Sequence, residues 1–257
     1  MILLKKANER VRYIIPHLKK LNLEYQIIDA VDKDELNEDY IERMISKEHV
    51  FAFYSRKKIA SVLSRIKAFQ AFLSQNSNYG FFIEDDVILP RFIKELLDEI
   101  EKEIKEDEVI LLDYRTASIK YKIGLSKKDT KKLKFGMLVY PMQIDGIVGS
   151  GAYVVSKKFA EKFINLNREK IIPFSDSWSL FYEKGLFNSV RLFYPNVVEF
   201  KPFKSTFEYT KYKKIRNILS SFFLFDMILK LRRKIFINIV RKNFYFVDEK
   251  SPFIKMN

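Results

Sequence analysis

Three consecutive carboxylates, Glu84, Asp85 and Asp86, stand inside an apolar stretch, with Phe81-Phe82-Ile83 before them and Val87-Ile88-Leu89-Pro90 after. No other feature of the chain limits its fold so tightly. The aromatic and β-branched run follows the turn signal Asn78-Tyr79-Gly80 and predicts a buried strand. An unpaired carboxylate is costly to bury, so acids at the end of such a strand require a cation or open solvent. In α/β sheets the carboxyl ends of strands are where ligands bind. Strand alternation places Glu84 and Asp86 on one face and Asp85 on the other. Hard divalent cations choose oxygen ligands, and Mg²⁺ or Mn²⁺ is commonly shared between one or two carboxylates and substrate phosphates. A solvated acidic turn is the alternative.

Strand and helix patterns alternate on both sides of this stretch. Residues 2–4 read as a short strand, and Val11, Ile14, Ile15 and Leu18 recur at helical spacing over Asn8–Lys20, with Pro16 predicting a kink or early break. Tyr25-Gln26-Ile27-Ile28 is a second strand, which makes the opening a βαβ unit and implies a parallel sheet. Short helices around Leu36, Ile41 and Ile45 precede a stronger helix over Arg56–Leu73. Pro90–Lys105 is amphipathic, and Val109–Leu112 is a strand ending at Asp113. The economical architecture is an α/β doubly wound sheet.

Further along, Thr116–Lys134 is basic and weakly patterned, a surface loop or hairpin. Gly149-Ser150-Gly151-Ala152-Tyr153-Val154-Val155-Ser156 joins small residues, which admit close backbone approach, to a strand. Ser156 is placed to cap the following helix. Asp176, beside the only tryptophan, has two open readings: a cap for a helix over 177–184, or a second active-site acid. Arg191–Tyr194, limited by Pro195, reads as an edge strand. His17 and His49 have no partners at a recognisable spacing and read as surface residues.

The chain has no cysteine, which excludes disulfides, thiolate metal sites and thiol nucleophiles. That composition suits a reducing cytosol. The apolar run at the start is too short for a signal peptide, and no window approaches a membrane span. The net charge is +14, and Lys204–Asn257 alone carry 13 Lys/Arg against 4 Asp/Glu. The chain therefore divides into an α/β domain over 1–203 and a basic, aromatic-rich helical tail over 204–257. Leu224, Met227, Ile228, Leu231 and Ile235 fall on one helical face, flanked by Lys230, Arg232, Arg233 and Lys234. Such a helix suits an anionic membrane surface, where each cation contributes about 1 kcal/mol. Packing on the domain or on a second subunit is the other reading.

Several of these segments, taken in order, resemble glycosyltransferase family 25, the bacterial lipooligosaccharide glycosyltransferases related to collagen galactosyltransferases. Ile83-Glu84-Asp85-Asp86-Val87 is similar to the family's LEDD-type motif, and Leu63–Ala68 to the helix that precedes it. Asp29-Ala30-Val31-Asp32, Gly151–Ser156 and Pro173-Phe174-Ser175-Asp176 resemble three further family segments. Lys33, Lys58, Ala60-Ser61 and Arg65 depart from the family pattern, and these departures bear on substrate preference. The resemblance implies a GT-A-like, Rossmann-like nucleotide-sugar-binding domain. It also implies transfer of a hexose, often galactose from UDP-galactose, to a saccharide or glycolipid acceptor with Mn²⁺ or Mg²⁺. On that basis Asp86 is the main metal ligand, with Glu84 or Asp85 as its partner, and Arg10 and Asp29 join Glu84 and Asp85 around the donor. For an inverting transfer, Asp176 is the candidate base.

The expected location is cytoplasmic, with the tail as a peripheral attachment to the inner face of the inner membrane. Basic charge with interleaved aromatics also suits single-stranded nucleic acid, so a metal-dependent nucleic-acid-binding protein or nuclease is the rival function.

Overall fold

The computed structural model describes residues 1–45, 56–116, 123–203 and 244–247. The chain opens with β1 (Ile2–Leu3), α1 (Asn8–Lys20) and β2 (Ile28–Asp29), and β1 pairs with β2 in parallel. The βαβ unit is thus present, but as a separate two-stranded sheet whose second strand is shorter than the sequence pattern predicts. Pro16 does not end α1. Ile14 and Leu18 are fully buried on either side of it, and this anchorage offsets the hydrogen bond that proline removes.

A short 3₁₀ turn and α2 (Glu38–Met44) lead to α3 (Arg56–Leu73), whose bounds are those of the apolar pattern. Then come β3 (Tyr79–Ile83), β4 (Val87–Ile88), α4 (Ile93–Glu103), β5 (Glu108–Leu111), β6 (Arg115–Thr116), β7 (Ile123–Ser126), β8 (Lys131–Leu133), β9 (Gly136–Val139), β10 (Ile147–Val148) and β11 (Ala152–Ser156). The remaining elements are α5 (Lys157–Leu166), α6 (Trp178–Glu183), β12 (Ser189–Tyr194), β13 (Glu199–Phe200) and β14 (Phe244–Val247).

The central sheet has six strands in the order β3-β11-β5-β12-β9-β8. Only β5 and β12 are parallel neighbours; the other four pairings are antiparallel. The expectation of a parallel doubly wound sheet is therefore corrected to a mixed α/β sheet. The cause is β11, which inserts between β3 and β5 in the reverse direction. Strand direction is fixed by these tertiary pairings, whereas hydrophobic patterning reports only that a strand exists. Because β3 and β5 are both antiparallel to β11, and β12 is parallel to β5, all three run the same way and end on one rim.

Alternation along the strands sorts side chains into two cores. Phe82, Val109, Leu111, Tyr153 and Val155 pack under α3, α5 and α6, while Ile110, Ala152, Val154 and Phe193 pack with residues of α1 and α4. The first core is dense in aromatics: Phe69 meets Phe82 and Phe163 edge-on, with centroids 4.9 and 5.1 Å apart. Such contacts contribute about 0.5–1.5 kcal/mol each beyond area burial.

Three further expectations change. β12 is interior, with β5 on one side and β9 on the other; Pro195 merely follows its last residue. The basic segment after Thr116 is not all surface, since Ile123 and Leu125 of β7 are buried. His17 does have partners: its Nε2 accepts a hydrogen bond from Leu89 N at 3.0 Å, and its ring stacks on Tyr13. His49 and the basic amphipathic segment 207–242 lie outside the described residues. Phe244–Val247 pair antiparallel with β7, so this part of the tail region is joined to the domain. No described helix is long and apolar enough to cross a membrane.

Candidate functional site

The rim where β3 and β5 end, and where β11 begins, gathers most of the acids singled out above. β3 stops at Ile83, and residues 84–86 form a turn into β4. Strand alternation therefore does not govern Glu84, Asp85 and Asp86, and the expected sharing of one face by Glu84 and Asp86 is corrected. Asp85 and Asp86 instead share a cation. Arg10, from the first turn of α1, donates through Nη1 to Asp85 and lies 3.2 Å from Asp86. Glu84 turns to the other side, where Ser150 Oγ donates to its Oε1 at 2.7 Å and Arg65 Nη2 stands 3.8 Å from the same oxygen.

A fourth carboxylate completes the rim. Asp113, just past β5, is fully buried, and its Oδ2 accepts from Gly151 N at 2.9 Å. The glycines flanking Ser150 are required by this closeness. Gly149 has φ +122°, and a Cβ there would sit 2.9 Å from Asp113 Oδ2. At Gly151 a Cβ would come within 2.4 Å of the Phe200 ring. The same loop is held from behind by Trp178, whose indole N–H donates to Gly149 O at 2.8 Å. The sequence signal for Asp113, an acid following the apolar run Val109–Leu112, is the same one that selects Glu84.

Desolvation raises the pKa of both half-buried Asp86 and fully buried Asp113. Asp86 is pushed up to about 6 by desolvation and then by the negative charge of Glu84, against the pull of Arg10. Asp113 is also pushed up to about 6, mainly by desolvation; Arg115 and the Gly151 N–H oppose this, while Glu84 and Asp176 add to it. Asp176 therefore acts on the same electrostatic neighbourhood as Glu84 and Asp113. It is not the residue capping α6: Ser177 holds the N-cap position, without a side-chain cap. Asp29 is tied up elsewhere, its half-exposed carboxylate 3.0 Å from Lys5. Its segment reaches the rim through α3, where Ser64 Oγ accepts from Val31 N.

The segment after β12 straps the acidic turn. β13 pairs with β4, and Lys201 N donates to Asp86 O at 2.8 Å. Phe203 lies under the Arg10 guanidinium at 5.4 Å, and Phe200 under that of Arg115 at 4.7 Å. A separate cleft of about 250 Å³, lined by residues such as Leu18, Tyr25, Phe72 and Tyr79, includes none of the rim acids.

The donor set gives a divided answer on a divalent cation. Asp86 Oδ1 and Asp113 Oδ1 are both buried without a hydrogen-bond partner, as suits an oxygen-seeking ion. However, among the described residues no group of three or more acids, histidines or cysteines converges closely enough to hold one. Asp86 thus fits as one ligand of a cation that would complete its shell with water and substrate oxygens, as Mg²⁺ commonly does.

Residues 1–178 match the model of glycosyltransferase family 25 (LPS biosynthesis protein). The chain belongs to that family. It is also similar to a Haemophilus influenzae protein named "Putative glycosyltransferase", at 27% identity over 171 residues. That alignment covers 66% of this chain and 57% of the relative, so the chain spans little more than half of the protein it matches.

Proposed function

We propose that the chain is a hexosyltransferase that moves galactose from UDP-galactose to a lipooligosaccharide or lipopolysaccharide acceptor, with inversion at the anomeric carbon. Family membership supports sugar transfer and, with it, a nucleotide-sugar donor and a saccharide acceptor. The observation that carries the reading is the rim itself: half-buried Asp86 and fully buried Asp113, each with one buried, unpartnered carboxylate oxygen, just past the ends of same-direction strands. In this reading the domain is a GT-A-like nucleotide-sugar fold.

Asp86 would hold Mn²⁺ or Mg²⁺, with Glu84 or Asp85 beside it. The bound ion supplies Lewis-acid stabilisation to the departing diphosphate. Arg10, which bridges Asp85 and Asp86, would add positive charge next to the nucleotide diphosphate. The acceptor hydroxyl oxygen bonds to the anomeric carbon, the bond from that carbon to the diphosphate breaks, and Asp176 takes the hydroxyl proton. The nucleoside diphosphate leaves with the bonding electrons. Nuclease or single-strand binding is not favoured, because family membership leaves it without support. A cytoplasmic enzyme held by its basic tail on the inner face of the inner membrane would meet a lipid-linked acceptor there.

The test is a screen of UDP-sugars for Mn²⁺-dependent donor hydrolysis and transfer, comparing wild type with Asp86→Ala. Turnover with UDP-galactose that falls at least about 100-fold in the variant, a loss of the size expected for removing one preorganised charge-stabilising group, supports the assignment. Equal turnover by the two proteins removes it.

A further inference from the structure

Among the described cations, Arg65 is the one whose burial its contacts explain least. It sits within α3, is only 3% exposed, and its guanidinium stacks on the buried Tyr153 ring at 5.2 Å. Its Nε has no hydrogen-bond partner, and its ion-pair partner, Glu84 Oε1, is 3.8 Å away. A buried guanidinium carries a desolvation cost that a contact this loose does not recover. If Arg65 served only to stabilise the fold, the pair would be expected to close. Instead it stands directly behind a carboxylate whose side chain is 37% exposed at the rim.

Ser150 Oγ and Arg65 both address Oε1 of Glu84, and Glu84 N is itself tied to Gly151 O at 3.0 Å. One oxygen is therefore drawn inward and the backbone is pinned, which leaves Oε2 to meet a ligand. A carboxylate oxygen accepts hydrogen bonds only, and one fixed in orientation suits neighbouring hydroxyl groups rather than phosphate, which it would repel.

We propose that Arg65 is a positioning residue: with Ser150 it orients Glu84 as a fixed acceptor for hydroxyls of the sugar moiety of the donor. The inference rests on the nucleotide-sugar reading above and deepens it by dividing the rim. Of the two partners open to Asp86 at the ion, this division takes Asp85: Asp85, Asp86 and Arg10 face the diphosphate, while Glu84, backed by Arg65, faces the hexose and not the ion. Arg65 acts only through Glu84.

Calorimetric titration of the full chain with UDP and, separately, with UDP-galactose tests this division in the presence of Mn²⁺. Glu84→Gln and Arg65→Met are expected to weaken UDP-galactose at least tenfold and to leave UDP within twofold of wild type. Arg65→Lys is expected to recover part of the loss. The double variant is expected to bind UDP-galactose no worse than Glu84→Gln alone, because the two residues form one device. Ser150→Ala, which leaves Arg65 in its buried site, is expected to show a smaller loss of the same kind. Equal weakening of both ligands, or additive losses in the double variant, overturns the proposal. Wild-type protein that binds neither ligand refutes the nucleotide-sugar reading, and the inference falls with it. Wild type that binds both, with unchanged UDP-galactose affinity in Glu84→Gln, refutes the inference alone.

Discussion

Two buried arginines, one at each end of the central sheet, meet carboxylates in opposite ways. At the foot, Arg191 of β12 donates to both oxygens of Glu108 at 2.7 and 2.6 Å, and also to Glu103 O at 2.7 Å. Glu108 is fully buried and accepts in addition from Lys105 N and Ser189 Oγ. At the rim, Arg65 stands 3.8 Å from Glu84 with its Nε unsatisfied. The two arginines are equally buried, at 4% and 3% exposure, so burial does not separate them. Completeness of bonding does. The closed pair joins β5 to β12 and α4; the open one leaves the Arg65 Nε without a hydrogen-bond partner and the Glu84 side chain 37% exposed.

Breaking the foot should have the largest effect on stability. Arg191→Met strands Glu108 without its cation and should cost about 3–5 kcal/mol. Urea denaturation of variant and wild type measures it. Arg65→Met in the same assay should lose less than half as much, because Glu84 can turn to solvent. Equal losses would erase the distinction between the two pairs.

Trimming the rim should change stability in the other direction. Asp113 has a folded pKa of about 6 against an ordinary value of 3.8, so folding favours its protonated form. Below about pH 4 the acid is neutral in both states and costs nothing. Between about pH 4 and 6 the unfolded chain ionises while the folded protein still holds the proton, so stability falls across that window by about 3 kcal/mol and stays constant above it. Asp113→Asn should therefore raise the melting temperature at pH 7.5 in EDTA, leave it unchanged near pH 4, and lower transferase activity. A variant less stable than wild type at pH 7.5 would show that Asp113 is structural, like Glu108.

The smallest effect belongs to Ser156, whose Oγ accepts from Phe159 N at the start of α5, at the foot end of β11. Ser156→Ala should cost about 1 kcal/mol with no change in donor affinity. A change in affinity would mean that foot and rim are coupled.

The sequence shows the foot more readily than the rim. The bounds of α1 and α3 and the cap at Ser156 follow from local spacing and chemistry, which a single segment carries within itself. The reversal of β11 and the interior place of β12 do not, because each is decided by a partner distant in sequence. Asp85 shows the same limit. Alternation predicts that it points away from Glu84 and Asp86, but the chain turns after Ile83 and Arg10 holds Asp85 beside Asp86. Arg65 was visible only as a departure from a family pattern; its burial beside Tyr153 gives that departure a physical content.

The acidic turn is clamped by parts of the chain made at very different times. Arg10 leaves the ribosome early, and Lys201 and Phe203, which close over Asp86 and Arg10, follow long after the acids themselves. At typical synthesis rates the interval from Asp86 to Phe203 is on the order of ten seconds. Through that time the acidic turn lacks its strap, so translation arrest ahead of Lys201 would yield a polypeptide whose acids can meet Arg10, Ser150 and the Gly151 N–H but have no cover from Lys201 and Phe203.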